Sequence, residues 1–220
     1  MGAALFDLDG TLTDPKDGIT RSVHYALKAQ GLLVEDLDTL VSYIGPPLHD
    51  SFVRLGRLSP ADATTAVASY REYFVEKGIF ENRVFPGVPE CLAALRSNGW
   101  RLAVATSKPT MFAQQILDHF SLSDYFEFVA GSELDGTRVH KHEVISHALE
   151  GLDLSPSSTS IMIGDREHDI FGARRVGLRA VGVMWGYGSR SELVAAGADR
   201  LVEDVTDLAS ELELLRSVDR

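Results

Sequence analysis

The chain has 220 residues, 45% of them apolar, which is enough for one large core or for a core with a sizeable insert. Its 21 basic and 32 acidic side chains give a net charge of −11, which argues against nucleic acid as a stable partner. The sequence has no apolar stretch of about 20 residues, so we expect no membrane partner and no membrane-spanning helix.

The compartment that the sequence favours is the cytoplasm. No basic region precedes the first apolar run, and a polar motif already begins by residue 6, so we expect no signal peptide. The single cysteine, Cys91, excludes an internal disulfide and lies among apolar residues of a predicted helix. This setting favours a buried structural thiol over a nucleophile. Nothing in the sequence indicates an oligomeric state.

Residues 3–8, which begin with the apolar run 3–5, predict the first β-strand, and two acids two positions apart lie at its C-terminal end. Side chains alternate along a strand, so Asp7 and Asp9 would share one face if the chain stayed extended. Gly10 then allows a sharp turn. Two crowded carboxylates are costly unless a cation lies between them, which indicates a hard metal such as Mg²⁺. An Asp-Gly turn beside a solvated acid fits the same residues.

Residues 15–82 have a helical apolar pattern and contain no convincing strand. One stripe begins after Gly18, and further helical runs cover residues 36–43, 47–56 and 60–77. We therefore predict an all-helical cap domain at 15–82, inserted directly after the first strand. The core domain would consist of residues 1–14 and 83–220.

Strands and helices alternate in the remainder of the chain. The predicted strands lie at residues 101–106, 126–130, 159–163, 179–184 and 200–202. The predicted helices lie at 88–98, 110–119, 141–150 and 169–176, with one more at the C-terminus. Such alternation indicates a parallel sheet covered on both faces. The predicted fold class is α/β: a Rossmann-like parallel sheet core with the inserted helical cap.

Hydroxyl side chains end the second strand of the core. Thr106 and Ser107 precede Pro109, which suits the first turn of a helix. Hydroxyls and free helix N–H groups at that point can hold a phosphate oxygen. An ordinary helix cap explains the same residues.

Charged side chains accompany the third strand of the core. Asp165 ends that strand, and Asp169 opens the next helix, where it could also be only a cap. Lys141 precedes the helix before this strand, a position where a lysine is ordinarily solvated. Ligands of open α/β sheets bind at the carboxyl ends of the strands, so these residues are candidates for one site.

Taken in order, these residues resemble the motifs of the haloacid dehalogenase superfamily of phosphatases. That pattern is D-x-D-G-T, a Thr or Ser after the second strand, a Lys, and G-D-x-x-x-D, and every part occurs between Asp7 and Asp169. Residues 9–14, 44–48 and 186–188 resemble the phosphoglycolate-phosphatase-like branch. The chain is also similar to a 5′-nucleotidase-like subgroup.

The resemblance implies Mg²⁺-dependent hydrolysis of a small phosphomonoester. Asp7 would attack phosphorus to form an aspartyl-phosphate, and Asp9 would act as the acid and base. Mg²⁺ would be held by Asp7, the backbone carbonyl of Asp9, and Asp165. Asp169 would orient a metal-bound water or Lys141. The phosphate would be bound by Thr106, Ser107, Lys141, Gly10 and Thr11.

Phosphoglycolate is the first substrate that the resemblance suggests, followed by 5′-nucleotides and aryl phosphates. Asp9 argues against a dehalogenase, whereas a sugar phosphomutase would share both aspartates. A binding protein that retained only the fold would be expected to have lost a motif residue, and none is lost. The cap is expected to move about hinges near residues 13–15 and 82–83, to select substrate through residues 44–47, and to exclude folded phosphoproteins.

Overall fold

The order of apolar runs along the chain produces a parallel sheet and a separate helical unit. The computed structural model describes residues 2–157 and 159–217. The predicted core domain thus includes positions 1, 158 and 218–220, which lie outside the described residues.

The strands of the described chain are β1 (Ala3–Phe6), β2 (Thr13–Asp14), β3 (Arg83–Val84), β4 (Arg101–Pro109), β5 (Phe128–Ser132), β6 (Ile161–Gly164), β7 (Arg179–Val183) and β8 (Arg200–Val202). The α-helices are α1 (Lys16–Ala29), α2 (Leu48–Arg54), α3 (Pro60–Tyr73), α4 (Val88–Ser97), α5 (Thr110–His119), α6 (Lys141–Gly151), α7 (Glu167–Val176), α8 (Arg190–Ala196) and α9 (Val205–Ser217).

Two compact units divide the chain. The first consists of Met1–Thr13 and Val84–Arg220, and the second of Asp14–Arg83. The second unit is helical: besides α1 to α3 it contains a 3₁₀ helix, Leu37–Tyr43, and a short π-helix, Phe74–Gly78. The short strands β2 and β3 pair where the chain passes between the units.

Six parallel strands form the sheet of the first unit, in the order β5-β4-β1-β6-β7-β8. Strand β1 lies between β4 and β6, with Phe6 level with Val104 on one side and with Ile163 on the other. The residues that follow these three strands therefore meet at one edge of the sheet, where ligands of such folds bind.

Apolar side chains bury one face of this sheet under α6 and α7. Leu5 and Met162 pack from the sheet against Val144, Ile145 and Ile170 of the two helices. These side chains are almost wholly excluded from water, so the hydrophobic effect holds the helices to the strands. The packing also fixes the first residues of α6 and α7 beside the carboxyl ends of β1 and β6.

The local expectations and the structure agree closely at several points. Helix α5 occupies 110–119 and strand β8 occupies 200–202, as predicted. Strand β5 begins two residues later than predicted, and α8 was missed. No helix within the described residues is both long and apolar enough to cross a bilayer.

Candidate active site

The predicted site residues of the core lie around the ends of three neighbouring strands. Asp7 directly follows β1, and its backbone N–H donates to the carbonyl of Ile163 at 2.9 Å. Asp165 directly follows β6. Lys141 is the first residue of α6, and Asp169 lies in the first turn of α7. All four side chains are buried, although each is charged in its ordinary state.

Three carboxylates come together at this place. Asp7, Asp165 and Asp169 each offer an oxygen, and these oxygens lie within 4.8 Å of one another. The ammonium of Lys141 bridges two of them, with Nζ 2.9 Å from Asp7 Oδ1 and 2.8 Å from Asp169 Oδ1. It also donates to the carbonyl of Ala105 at 3.2 Å. The structure thus unites motifs that are up to 162 positions apart in the chain.

Burial and mutual repulsion set the protonation of this cluster. Burial raises the pKa of Asp165 well above its ordinary value, and the charges of Asp169 and Asp7 raise it further. The pKa of Asp169 is raised for the same reason, against the opposing effect of Lys141. Burial acts to lower the pKa of Lys141, but its ion pairs with Asp169 and Asp7 outweigh this and raise it.

Asp9 forms an ion pair with a second lysine. Its Oδ2 atom lies 2.7 Å from Nζ of Lys108, and both side chains are largely buried. Burial raises the pKa of Asp9, whereas Lys108 lowers it. The sequence assigns no role to Lys108, because a lysine after two hydroxyl residues carries no periodic or spacing signal. Only its position in strand β4, next to β1, brings it to Asp9.

The turn after β1 forms a hydrogen bond and close contacts with the loop that follows β7. Gly10 has a φ of +87°, and a Cβ there would lie 2.3 Å from Asp165 Oδ2, so the turn requires glycine. The indole Nε1 of Trp185 donates to the carbonyl of Thr11 at 3.0 Å. The backbone N–H of Tyr187 donates to Asp165 Oδ2 at 2.8 Å. The motif at 186–188 therefore contacts the site directly.

The predicted phosphate-binding hydroxyls lie in the second half of β4. Thr106 is buried, and its Oγ1 accepts a hydrogen bond from the backbone N–H of Lys108 at 3.2 Å. The carbonyl of Ser107 accepts from Ser132 Oγ at 2.8 Å. Strand β4 does not end at residue 106, as predicted, but continues to Pro109, whereas α5 begins at Thr110, as predicted.

Thr11 lies between the strand end and the carboxylate cluster. Its side chain is buried, and its hydroxyl donates to Asp165 Oδ1 at 3.5 Å. Both oxygens of Asp165 thus have a donor, one from Thr11 and one from Tyr187. The Asp165 carboxylate is therefore held in a fixed orientation beside Asp7.

The donor set of this site fits a hard divalent cation. Every candidate ligand offers oxygen, which Mg²⁺ prefers. The four carboxylates of Asp7, Asp9, Asp165 and Asp169 lie together with the two ammonium groups of Lys108 and Lys141, so four formal negative charges face two positive ones. A bound divalent ion would balance that excess and offset the repulsion that raises these carboxyl pKa values.

Comparison with known proteins decides the family. The model of the haloacid dehalogenase-like hydrolases matches residues 4–183. The chain belongs to this family. The resemblance drawn from the motifs, the predicted fold class and the predicted class of enzyme, a phosphoric monoester hydrolase, are thereby confirmed.

Relatives of this family carry several names. A 5′-nucleotidase of Pseudomonas aeruginosa is 48% identical over 95% of this chain and 94% of its own length. The tyrosine-protein kinase PtkA of Mycobacterium tuberculosis is 42% identical over 84% of this chain, which spans only 62% of that relative. A phosphoglycolate phosphatase of Cupriavidus necator is 33% identical over 94% of this chain and 90% of its own length.

A solved structure supports the same assignment. The crystal structure of a predicted phosphatase from Clostridium acetobutylicum has a TM-score of 0.94 and 46% sequence identity, covering 97% of this chain and 98% of that one. The family and the fold therefore agree between sequence and structure.

Proposed function

We propose that this enzyme hydrolyses small phosphomonoesters by way of an aspartyl-phosphate formed on Asp7. The observation that carries the proposal is the buried cluster of Asp7, Asp165 and Asp169, in which Lys141 pairs with Asp7 and Asp169. A carboxylate at such a strand end is a nucleophile that splits one difficult substitution at phosphorus into two easier ones.

In the first step, a carboxylate oxygen of Asp7 attacks phosphorus and the bond to the leaving oxygen breaks. Asp9 gives that oxygen a proton. In the second step, water attacks the phosphorus of the aspartyl-phosphate, Asp9 takes the proton of the water, and the bond to Asp7 breaks. Phosphate leaves, and both aspartates return to their starting state.

Lys141 has two functions in this proposal. Its ammonium orients Asp7 through the ion pair at 2.9 Å, and it supplies a positive charge for the transferring phosphoryl group. Thr106, Ser107 and the backbone of Gly10 and Thr11 would hold the phosphate oxygens. Positioning and electrostatic stabilisation of this kind supply most of the catalysis of phosphoryl transfer.

Mg²⁺ would be held by Asp7, by the backbone carbonyl of Asp9, and by Asp165, with Asp169 supporting Lys141 through their ion pair at 2.8 Å. When bound, the ion supplies positive charge that reduces repulsion between the anionic nucleophile and the anionic substrate.

The substrate class follows from the relatives. The sequence motifs placed phosphoglycolate first, whereas the 48% identity to a 5′-nucleotidase supports 5′-nucleotides as the first substrates to test. Phosphoglycolate comes second, on the 33% identity to a phosphoglycolate phosphatase, and aryl phosphates third. We further propose that the helical unit Asp14–Arg83 acts as the cap that selects among these esters, with residues 44–47 as the selecting loop.

The test is a screen of phosphate release with Mg²⁺ present. The panel comprises 5′-nucleotides, phosphoglycolate, hexose phosphates, an aryl phosphate and an intact folded phosphoprotein, and Asp7→Asn protein is the control for contaminating activity. We expect release from at least one small ester and none from the phosphoprotein. Release from the folded phosphoprotein alone would overturn the proposal.

A second candidate is transfer of the phosphoryl group to an acceptor other than water. It is favoured by the 42% identity to PtkA over most of this chain, and a sugar phosphomutase belongs to the same class. These reactions share the phosphorylated aspartate and differ in what attacks it. The experiment adds either a tyrosine peptide with ATP or a hexose phosphate, and it follows the labelled phosphoryl group. The position of the label distinguishes transfer from hydrolysis. Labelled acceptor without free phosphate would favour transfer.

A further inference from the structure

The proposed mechanism leaves one buried ion pair of the site without a function. Lys108 lies in β4, and its side chain is only 6% exposed. Its ammonium lies 2.7 Å from Oδ2 of Asp9, whose side chain is 11% exposed. Removing both charges from water has a large desolvation cost, so a buried pair of this kind is weak evidence of a contribution to stability.

The two buried lysines of the site serve different carboxylates. Lys141 contacts Asp7 and Asp169, which belong to the cluster around the nucleophile. Lys108 contacts Asp9, the residue proposed as the acid and base. The cation beside Asp9 is therefore separate from the one that would stabilise the phosphoryl group.

The oxygens of Asp9 are not equivalent. Oδ2 is held by Lys108, whereas Oδ1 is buried and accepts no hydrogen bond from any residue within 2–157 or 159–217. A buried acceptor without a donor costs free energy, which is tolerated where a ligand or a reacting group completes the site. Oδ1 is the atom of Asp9 that remains available for proton exchange.

The backbone of Lys108 also contacts a residue of the proposed phosphate-binding site. The backbone N–H of Lys108 donates to Oγ1 of Thr106, one of the proposed phosphate-binding groups. The segment 106–108 thus connects the place where the phosphate would bind with the carboxylate that would protonate the leaving oxygen.

We propose that Lys108 is the positioning residue of Asp9. It holds Oδ2, so that Oδ1 is the oxygen that exchanges the proton with the leaving group and with water. This inference rests on the proposed function. In the first step the proton moves from Asp9 Oδ1 to the leaving oxygen as its bond to phosphorus breaks. In the second, Oδ1 receives a proton from the attacking water, and Lys108 stays protonated throughout.

If Lys108 positions Asp9, the loss of kcat/KM in a Lys108→Met variant should depend on the leaving group of the ester. An alkyl ester such as a 5′-nucleotide has a poor leaving group that must be protonated, whereas p-nitrophenolate leaves without a proton. The quantity to compare is kcat/KM, because it reports the steps through formation of the aspartyl-phosphate and is unaffected by its later hydrolysis. We expect a loss of about 10²-fold on the alkyl ester and less than about 5-fold on p-nitrophenyl phosphate.

The ratio of the two kcat/KM values does not depend on the fraction of folded protein, so partial unfolding of the variant does not imitate the result. Lys28→Met, which removes an exposed lysine, should leave both values unchanged. In an Asp9→Asn background, Lys108→Met should cause no further loss on the alkyl ester, because the residue that it positions is already inactive.

Equal losses on both esters would overturn the inference and indicate that Lys108 binds the phosphate or only supports the fold. A further loss on top of Asp9→Asn would overturn it as well. If the unmodified enzyme released phosphate from neither ester nor from any other small ester of the panel, the proposed function would fail and this inference with it.

Discussion

The loop after β7 offers a sharp test of how the carboxylate cluster is held together. A Cβ on Gly186 would lie 2.3 Å from Cβ of Asp165, 2.4 Å from the carbonyl oxygen of Gly10 and 2.5 Å from Asp165 Oδ2. Ordinary contact begins at 3.4 Å, so Gly186→Ala must push the loop and Asp165 apart by about 1 Å. Two of the three atoms belong to Asp165, and the third belongs to the turn that follows Asp9.

The size of the effect follows from that displacement. Overpacking of a well-filled interior costs about 1–3 kcal/mol of stability. Displacing Asp165 also weakens the hydrogen bond from the Tyr187 N–H to Oδ2, which orients this proposed metal ligand. Loss of such a supporting contact typically lowers metal affinity by about 10–100-fold. A shift of about 1 Å at the reacting groups can lower turnover about 10²-fold.

The assay is calorimetric titration of the metal-free protein with Mg²⁺, together with the rise in unfolding temperature that Mg²⁺ causes. Gly99→Ala is the matched control, since its φ of +77° strains an alanine but no atom lies within 4 Å of the added Cβ. Both variants should lose stability, and only Gly186→Ala should lose Mg²⁺ affinity and turnover. Unchanged Mg²⁺ affinity and turnover in Gly186→Ala would refute the claim that this loop positions Asp165.

Three further predictions address the chemistry. Asp7→Asn should lower phosphate release by about 10³-fold or more with an unchanged circular dichroism spectrum; a substantial residual rate would mean that another group attacks. Chelation of divalent ions should abolish turnover and added Mg²⁺ should restore it, whereas full turnover after chelation would exclude a metal. Burial raises the pKa of the Cys91 thiol to about 11, so iodoacetamide should label the folded protein far more slowly than the urea-unfolded chain; equal rates would contradict this.

Local physical chemistry explains which parts of this protein could be predicted from its sequence. Apolar runs of strand length, alternating with helical stripes, predicted the parallel sheet and the helical block. Helix α5 was placed to the residue because Pro109 precedes it and the next strand follows a polar break. Helix α8, which is seven residues long, was missed. Strand ends shifted by up to three residues, because an apolar run does not show which residues join the hydrogen-bonded ladder.

The sequence by itself also determined the chemical character of the site. The crowded acids at the ends of predicted strands indicated a cation and phosphate chemistry, and the order of the motifs indicated the family. The spacing of the motifs did not reveal that Asp169 approaches Asp7 closely enough to share Lys141 with it. That sharing depends on how α6 and α7 pack on the sheet.

Only the tertiary structure decided which side chains meet. Lys108 pairs with Asp9, and Tyr187 with Asp165, because β4 and β6 flank β1 and because the loop after β7 returns to the same edge. Local periodicity shows that a segment is a strand and which residues it buries, but it carries no information on strand order. Strand order is set by the packing of the whole core. The strand order in turn determines the contacts that bring the separate motifs together in one site.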